Sequence, residues 1–247
     1  MAFHDWQIEG GSGGTCPRIP VVAEVGGSCG VAALRLNASV ALQGPYDSGT
    51  GLLSPDLNTG AYLPTLEPYT AMGWHSGSET TTSSVLATYP VVDWVLVELR
   101  DRNDAATIVE TAVGLLLENG AIVDLDGVSP LPFDAGTNSY FVAIRHRNHL
   151  AVMTLNPVDL TASMVVDFRS TPLYGGANAA KDIGGVQVLW AGDATSDGAI
   201  NASDRSASWN ERNSSGYKTA DVDMSGSVNA SDRSMCWNNR NKTSLIP

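Results

Sequence analysis

Long apolar runs are missing from this chain. No stretch reaches the ~18 apolar residues that a membrane-spanning helix needs, so we predict no membrane insertion. The first residues, MAFHDWQIEGGSGG, also lack the basic segment and the apolar core of a secretory signal peptide. If the protein is secreted, its numbering begins after cleavage, on a tag or within an incomplete gene. GGSGG is then either an engineered linker or a native flexible arm.

Basic residues are few. The chain has 14 Lys and Arg against 26 Asp and Glu, which gives a formal net charge of −12. From Asp193 onward seven acids nearly balance six bases, so the preceding body holds the other nineteen acids and eight bases. An acidic body argues against nucleic acid or an anionic membrane as the partner. The simplest explanation of the charge is solubility in an extracellular medium.

Cysteines and recognisable catalytic groups are also scarce. Cys16 and Cys29 are close enough in sequence to bridge a small loop, which leaves Cys236 odd. Residues 26–30, GGSCG, fit the G-x-S-x-G pattern of hydrolases, but that motif must lead into a helix and the sequence after Gly30 is strand-like. No pair of carboxylates stands out for glycoside hydrolysis. We therefore predict that the chain is not an enzyme.

The histidines in the run RHRNHL need separate consideration. His146 and His149 near a strand end could form a two-histidine metal site. No carboxylate stands nearby at ligand spacing, so we favour a basic hairpin formed by Arg145, His146, Arg147 and His149. We expect these bases to meet acidic groups on the same chain or on a neighbouring one.

Short apolar runs separated by turn residues dominate the first 190 residues, which are enough to bury a sizeable core. The run 93–100 alternates, with Trp94 and Leu96 on one face. Residues 107–117 also fit a helix, but their Val and Thr content and Gly114 favour a strand. The predicted strands are Val31–Leu42, Val91–Leu99, Thr107–Leu117, Ala121–Asp124, Tyr140–His146, Leu150–Leu155, Met164–Phe168 and Val186–Trp190.

This spacing predicts a mostly β protein. The body is expected to be an antiparallel β-sandwich, Ig-like or prealbumin-like, at about residues 31–170. Asn119-Gly120 predicts a tight hairpin turn within it.

A long irregular stretch, Gly44–Tyr89, interrupts the predicted strands, and loops of this length are often functional. Its aromatic residues could line a surface for a sugar or a peptide, or they could cover the open end of the sandwich. We favour the covering role, because isolated aromatic residues in loops usually pack. The residues concerned are Tyr46, Tyr62, Tyr69 and Trp74.

Two acidic loops near the C-terminus repeat each other. Residues 193–204 read DATSDGAINASD, and residues 221–232, starting 28 positions later, read DVDMSGSVNASD. The segments 193–213 and 221–241 match at 12 of 21 positions. Each loop has oxygen-bearing side chains at positions 1, 3, 5, 9 and 12 and Gly at position 6. This is the ligand spacing of a twelve-residue calcium loop.

The loops therefore predict two calcium ions. Calcium is a hard cation that takes roughly six to eight oxygens, and alternate side chains of a curled loop point inward. The closing residue is Asp and not the longer Glu, which suits a rigid site better than a switch. Ile200 and Val228, at position 8, can pack under the loops or against each other. The predicted ligands are Asp193, Thr195, Asp197, the carbonyl of Ala199, Asn201 and Asp204 in the first loop, and Asp221, Asp223, Ser225, the carbonyl of Ser227, Asn229 and Asp232 in the second.

A tandem of Asp-closed calcium loops at the end of a chain resembles the dockerin module. The resemblance covers about the last 55 residues, and its calcium ligands are the residues just named. The runs after the loops, DRSASWNERN and DRSMCWNNRN, depart from the Leu- and Ile-rich helices of dockerins and offer one large apolar anchor each, Trp209 and Trp237. Together with the LWAGDATSDG run, they look closer to a dockerin-like repeat at the C-termini of extracellular proteins of Bacteroidota.

The resemblance implies a domain organisation and a class of function. We expect an N-terminal arm at 1–30 (strand-donating, or a tag or linker), a sandwich body at 31–190 and a dockerin-like module at 191–247. The implied function is that of a calcium-stabilised extracellular structural or adhesive protein that self-associates in a surface layer or filament. Two alternatives stay open: a binding module whose repeat docks onto a cohesin-like partner, and a carbohydrate-binding sandwich that takes a polysaccharide.

Overall fold

The computed structural model describes residues 34–160 and 165–247, which lie in the compact unit Val31–Pro247. The predicted N-terminal arm, Cys16, Cys29 and the GGSCG motif lie outside the described residues. Within them, no helix is long and apolar enough to cross a membrane.

Strands make up most of the regular structure, and the helices are short. The strands of the body are β1 (Leu34–Ser39), β2 (Tyr46–Asp47), β3 (Leu52–Leu53), β4 (Val91–Asp101), β5 (Asp104–Leu117), β6 (Ala121–Val123), β7 (Leu131–Phe133), β8 (Ser139–His146), β9 (His149–Met153), β10 (Val158–Asp159), β11 (Val165–Asp167), β12 (Lys181–Ile183) and β13 (Val186–Val188). The C-terminal repeat adds β14 (Ala199–Ile200) and β15 (Lys242–Thr243), and the helices are α1 (Asp56–Thr59), α2 (Ser83–Thr88), α3 (Ala202–Asn210) and α4 (Ala230–Asn238).

Nine of these strands form the main sheet of the described residues. Its order is β10-β8-β4-β5-β6-β1-β11, with β7 also paired to β1 and β9 to β8. All pairs are antiparallel except β1 with β11, which is parallel. The mostly β, antiparallel and sandwich-like fold predicted from the sequence is confirmed. Some strands, such as β7 and β10, were not predicted from the sequence. They span only two or three residues, which is too short to display alternation.

The ambiguous run 107–117 is a strand, as predicted. It forms most of β5, which pairs with β4 along a long antiparallel ladder. Gly114 allows β5 to lie close to its other neighbour, because a Cβ at this position would come within 2.8 Å of the carbonyl oxygen of Val123. The predicted turn at Asn119-Gly120 is also present, with Gly120 at φ +85.

Strand β4 differs from its prediction. The alternating sequence predicts one buried and one exposed face, but every residue from Val91 to Arg100 is buried. The segment Gly44–Tyr89 packs against β4 at Trp94: the hydroxyl of Tyr69 donates to the carbonyl of Trp94 (2.7 Å), and Trp94 Nε1 donates to the carbonyl of Pro64 (2.9 Å). Full burial of a large apolar side chain stabilises a fold by about 1.5–3 kcal/mol.

Three of the four aromatic residues of this segment, Tyr46, Tyr69 and Trp74, pack against the core, as the covering role predicts. Tyr69 is fully buried, and its ring stacks on Trp74 with centroids 6.0 Å apart. Tyr62 stays 41% exposed. The segment is also less irregular than predicted, because it contains the β2–β3 hairpin and the helices α1 and α2.

The C-terminal repeat packs against the body at close range. The backbone of Gly44 comes so near the carbonyl oxygen of Val222 that a Cβ would lie 2.2 Å from it. The repeat has a small apolar cluster of its own beneath the two loops, formed by Ala194, Ala220, Val222, Val228 and Cys236. Cys236 is a free, buried thiol.

Candidate metal centre

The sequence repeat is also a repeat of backbone conformation. Ser196 and Met224, 28 residues apart, both adopt positive φ, at 60 and 63. Gly198 and Gly226 follow at 82 and 83, the region that glycine enters without steric cost. Each loop therefore curls in the same way before it leads into its helix, α3 or α4.

The first loop brings three carboxylates together. One oxygen each from Asp193, Asp197 and Asp204 lies within 4.8 Å of the others. Backbone amides aim the first of them, because Asp193 accepts from the N–H groups of Asp197 (3.0 Å) and Gly198 (2.9 Å). The Thr195 hydroxyl joins the cluster by donating to Asp204 Oδ1 (2.8 Å).

The second loop repeats this arrangement with Asp at position 3. Asp221, Asp223 and Asp232 place carboxylate oxygens within 4.8 Å of one another. Asp221 accepts from the amides of Ser225 (3.1 Å) and Gly226 (2.8 Å). The geometry matches the first loop, so the two clusters are variants of one site.

The position-9 asparagines act as helix caps. Asn201 Oδ1 accepts from Ser203 N (2.7 Å) and Asn229 Oδ1 accepts from Ser231 N (2.7 Å). Asp204 and Asp232 reciprocate by accepting from the backbone N–H of the two asparagines, which completes a capping box at each helix. The short closing Asp thus serves the cap and the carboxylate cluster together.

The predicted ligands therefore divide into two groups. Six Asp side chains and the Thr195 hydroxyl converge in the two clusters. The position-9 amide oxygens are engaged by the caps, and their nitrogens donate to the position-7 carbonyls of Ala199 (3.4 Å) and Ser227 (3.2 Å). The Ser225 hydroxyl also donates to the Ser227 carbonyl (3.3 Å).

The clusters carry a strong electrostatic cost. Burial raises the pKa of Asp193 to about 7, and the neighbouring Asp204 adds to the increase. Burial likewise raises the pKa of Asp221 to about 7 and also raises that of Asp232, with contributions from the other carboxylates of the loop. Like charges crowded in a poorly solvated site disfavour their ionised forms. A divalent cation would remove that cost, and the all-oxygen donor set fits calcium.

The loops pair with the chain that follows the other loop's helix. The first loop forms the β14–β15 ladder, in which Ala199 lies opposite Thr243. In the second, Ser227 bridges to Ser215, and Val228 accepts from the amide of Asn213 (2.8 Å). Ile200 and Val228 are both buried, but no ladder joins the two loops directly to each other.

Single carboxylate substitutions are expected to remove one calcium site each. Asp193→Ala and Asp221→Ala each remove the first-position carboxylate of one loop. Calorimetric titration of either variant should therefore give one bound calcium per chain, where the unaltered protein gives two. Asp104→Ala, an exposed aspartate on the body, is the matched control and should keep both sites. If neither loop variant changes the stoichiometry or the melting temperature in calcium, the metal assignment is wrong.

The basic hairpin predicted from RHRNHL is present and lies inside the protein. His146, Arg147 and His149 are all at most 1% exposed. Asp93 is their acidic partner: it accepts from Arg147 Nε (2.9 Å) and contacts His146 Nε2 (3.2 Å). Burial alone would raise the pKa of Asp93, but Arg147 and His146 lower it to about 2. Burial lowers the pKa of both histidines.

The helices present a face that the sequence analysis missed. Trp209 and Trp237 are each 49% exposed and are not buried anchors. Two guanidinium groups lie over each indole ring, one from the same repeat and one from the other repeat. The distances to the ring centroid are 4.4 Å (Arg212) and 4.9 Å (Arg233) for Trp209, and 4.2 Å (Arg240) and 5.1 Å (Arg205) for Trp237.

We call these two tryptophans and four arginines the Arg–Trp face. It borders a groove of about 820 Å³ between α3 and α4. No acidic side chain is among the described residues that line the groove. The 28-residue spacing of the DRS and WN-x-RN runs was the sequence signal for this symmetry. Only the packing of the helices shows that the rings and guanidinium groups share one surface.

No protein-family model matches the chain, and no curated protein matches it. Solved structures similar to it include the complexes Coh3ScaB-XDoc_M1ScaA and Coh3ScaB-XDoc_M2ScaA, interface mutants of a type II cohesin–X-dockerin complex from Acetivibrio cellulolyticus. Identities are 17% and 16% and TM-scores 0.42 and 0.43, over 85% of this chain and 97% of the matched chain. With TM-scores below 0.5, this similarity carries no argument about fold or function.

Proposed function

We propose that this protein is a non-enzymatic extracellular binding unit whose C-terminal repeat is folded around two calcium ions. The observation that supports the proposal is the twofold occurrence of one arrangement, in which three carboxylates meet at the start of a capped helix. Isolated acidic turns are common on protein surfaces, but two turns with the same backbone conformation, the same cap and the ligand spacing of a calcium loop favour a pair of metal sites.

The role of calcium in this unit is structural. The loops order α3 and α4, and these helices carry the exposed Arg–Trp face. Trp and Arg are the residues that most often dominate the binding energy at protein interfaces. The four guanidinium groups favour a partner with an acidic surface. We therefore propose that the repeat docks onto another extracellular protein, as in the cohesin-like alternative that the resemblance implies.

The docking proposal has a direct test with a panel of immobilised cohesin-type modules. Binding is expected in calcium and lost in chelator. Trp209→Ala and Trp237→Ala should each weaken it by about 2 kcal/mol or more, the size of an interface hot spot. Ile108→Ala changes a similarly exposed apolar side chain on β5 and should leave binding unchanged. Binding that survives either tryptophan substitution at full strength, in variants with unchanged melting temperatures, would exclude this face.

Self-association in a layer or filament is the competing proposal. The sequence argument for it depended on strand donation by the arm at 1–30, which lies outside the described residues. Light scattering with calcium and with chelator separates the two ideas. A monomer in both conditions supports docking, whereas large particles that dissolve on chelation support an assembly subunit. The polysaccharide alternative depended on loop aromatic residues, of which Tyr69 and Trp74 pack against each other and the body.

A further inference from the structure

The turn between β8 and β9 extends from the body to the two predicted calcium loops. Its central residue, Asn148, is fully buried and comes from a part of the sequence more than forty residues before either loop. It is not one of the predicted ligands. Its contacts nevertheless go to both loops.

Asn148 binds the first residue of each loop. Its backbone carbonyl accepts from the amide of Asp193 (3.1 Å), and its side-chain nitrogen Nδ2 donates to the carbonyl of Asp221 (2.7 Å). The Asn148 carbonyl also accepts from the amide of Gly192 (3.1 Å), and Nδ2 also donates to the carbonyl of Thr219 (3.1 Å). One residue of the body thus holds the peptide groups from which both first-position carboxylates project.

The Asn148 side chain is fixed in orientation by its neighbours. Its Oδ1 lies 2.8 Å from His149 Nδ1. His149 Nε2 accepts from the amide of Gly44 (3.2 Å), so in the neutral ring Nδ1 carries the proton and points it toward Asn148 Oδ1 and His146 Nδ1 (3.1 Å). The amide group of Asn148 therefore has its nitrogen turned toward the second loop.

The rest of the turn supports the same joint. The Arg147 carbonyl accepts from the hydroxyl of Ser196 in the first loop (2.5 Å). The Arg147 guanidinium donates to the carbonyl of Lys218, just before the second loop. The turn contacts both loops through backbone and side chain, which makes it a rigid bridge between them.

We infer that Asn148 is a positioning residue for both calcium sites and couples them to each other. The inference rests on the proposed function, because it assumes that the clusters hold calcium. Residues behind the ligands orient them, and their loss typically costs 10–100-fold in metal affinity. When one loop binds calcium, its first peptide group becomes fixed, Asn148 becomes fixed with it, and the other loop is already ordered for the second ion.

The test is calorimetric titration of Asn148→Ala with calcium alone. The second loop is measured in an Asp193→Ala background and the first in an Asp221→Ala background. We expect calcium affinity at the second loop to fall about 10–100-fold, because the Nδ2 donor is lost. The first loop should lose less, since alanine keeps the backbone carbonyl that holds Asp193. In the two-site protein, positive cooperativity between the ions should disappear.

Asn239→Ala is the matched control. Asn239 is also buried at the joint, and its Nδ2 donates to Gln43 Oε1 (2.8 Å) and to the carbonyl of Ala191 (2.6 Å), but it contacts no predicted ligand. This variant should lower the melting temperature and leave both calcium affinities unchanged. Equal affinity losses in the two variants, or a lower melting temperature at unchanged affinity for Asn148→Ala, would overturn the inference.

A second variant covers the case in which Asn148→Ala fails to fold. Ser196→Ala removes one contact of the turn with the first loop, so calcium affinity should fall at the first loop and stay unchanged at the second. Unchanged calcium affinity at both loops would count against the coupling.

A wild-type protein that binds no calcium would reject the proposed function as well. Normal binding of two ions with no effect of the variants would reject only the role of Asn148.

Discussion

Chelation of calcium is expected to unfold the C-terminal repeat. An ion that binds only the native state stabilises it by RT ln(1 + [L]/Kd), which is about 3–4 kcal/mol per site at several hundred-fold excess over Kd. Without the ion, the carboxylates within each loop are costly to ionise: burial raises the pKa of Asp193 and of Asp221 to about 7, and Asp204 and Asp232 in the respective loops add to the increase. The α3–α4 pair has only a small apolar cluster to offset that cost.

Thermal unfolding with calcium and with chelator measures this effect. We expect a large fall in melting temperature on chelation and full recovery when calcium is restored in excess. Unfolding is followed by tryptophan fluorescence and by circular dichroism. The fluorescence samples both regions, because Trp209 and Trp237 lie in the repeat and Trp94 lies in the main sheet. Magnesium is the control ion and should restore little, since its smaller shell demands stricter geometry. Identical melting curves in calcium and in chelator would contradict the prediction.

Removal of Asp93 is expected to be the most damaging single substitution in the body. Asp93 accepts hydrogen bonds from Arg147 Nε (2.9 Å), the Tyr217 hydroxyl (2.7 Å) and the Trp94 amide (2.7 Å). Asp93→Ala leaves the Arg147 guanidinium buried without its counter-charge, which typically costs about 3–5 kcal/mol. Because Tyr217 belongs to the C-terminal repeat, the substitution should also loosen the joint between the repeat and the sheet.

Asp167→Ala provides the comparison. Asp167 pairs with Arg169 at 2.8 Å, but both side chains are about one-third exposed, at 32% and 34%. Exposed ion pairs contribute about 0–1 kcal/mol, so this variant should change the free energy of unfolding little. Urea unfolding of both variants in saturating calcium gives the two values. Similar losses of unfolding free energy in the two variants would show that burial does not strengthen the contribution of the Asp93–Arg147 pair.

The two acidic loops were the part of the site most accessible from sequence. The predicted ligands of each lie within twelve consecutive residues, and the curl depends on local features such as the positive φ of Gly198 and Gly226. The convergence of the Asp side chains follows from that local geometry. The double role of Asp204 and Asp232, which also complete the helix caps, was not anticipated, although Asn-x-x-Asp at a helix start carries the signal.

The strands could be predicted from the sequence for a similar reason, but the burial of their two faces could not. Alternation along Asp93–Arg100 indicates a strand, and β4 is one. Alternation cannot reveal that the segment Gly44–Tyr89 packs against this strand, where Tyr69 donates to the carbonyl of Trp94. The same limit applied to Glu98, which is buried on β4 and pairs with Arg100 and Arg145.

By itself, the sequence determined the elements that depend on neighbours along the chain: the β-rich body, the turn at Asn119-Gly120 and the two oxygen-rich loops. The tertiary structure alone decided which distant groups meet. It placed Asp93 against Arg147, Asn148 between Asp193 and Asp221, and the arginines of one repeat on the tryptophan of the other. The physical reason is that loop curvature and strand periodicity arise from local backbone geometry, whereas these contacts depend on the burial of surfaces far apart in sequence.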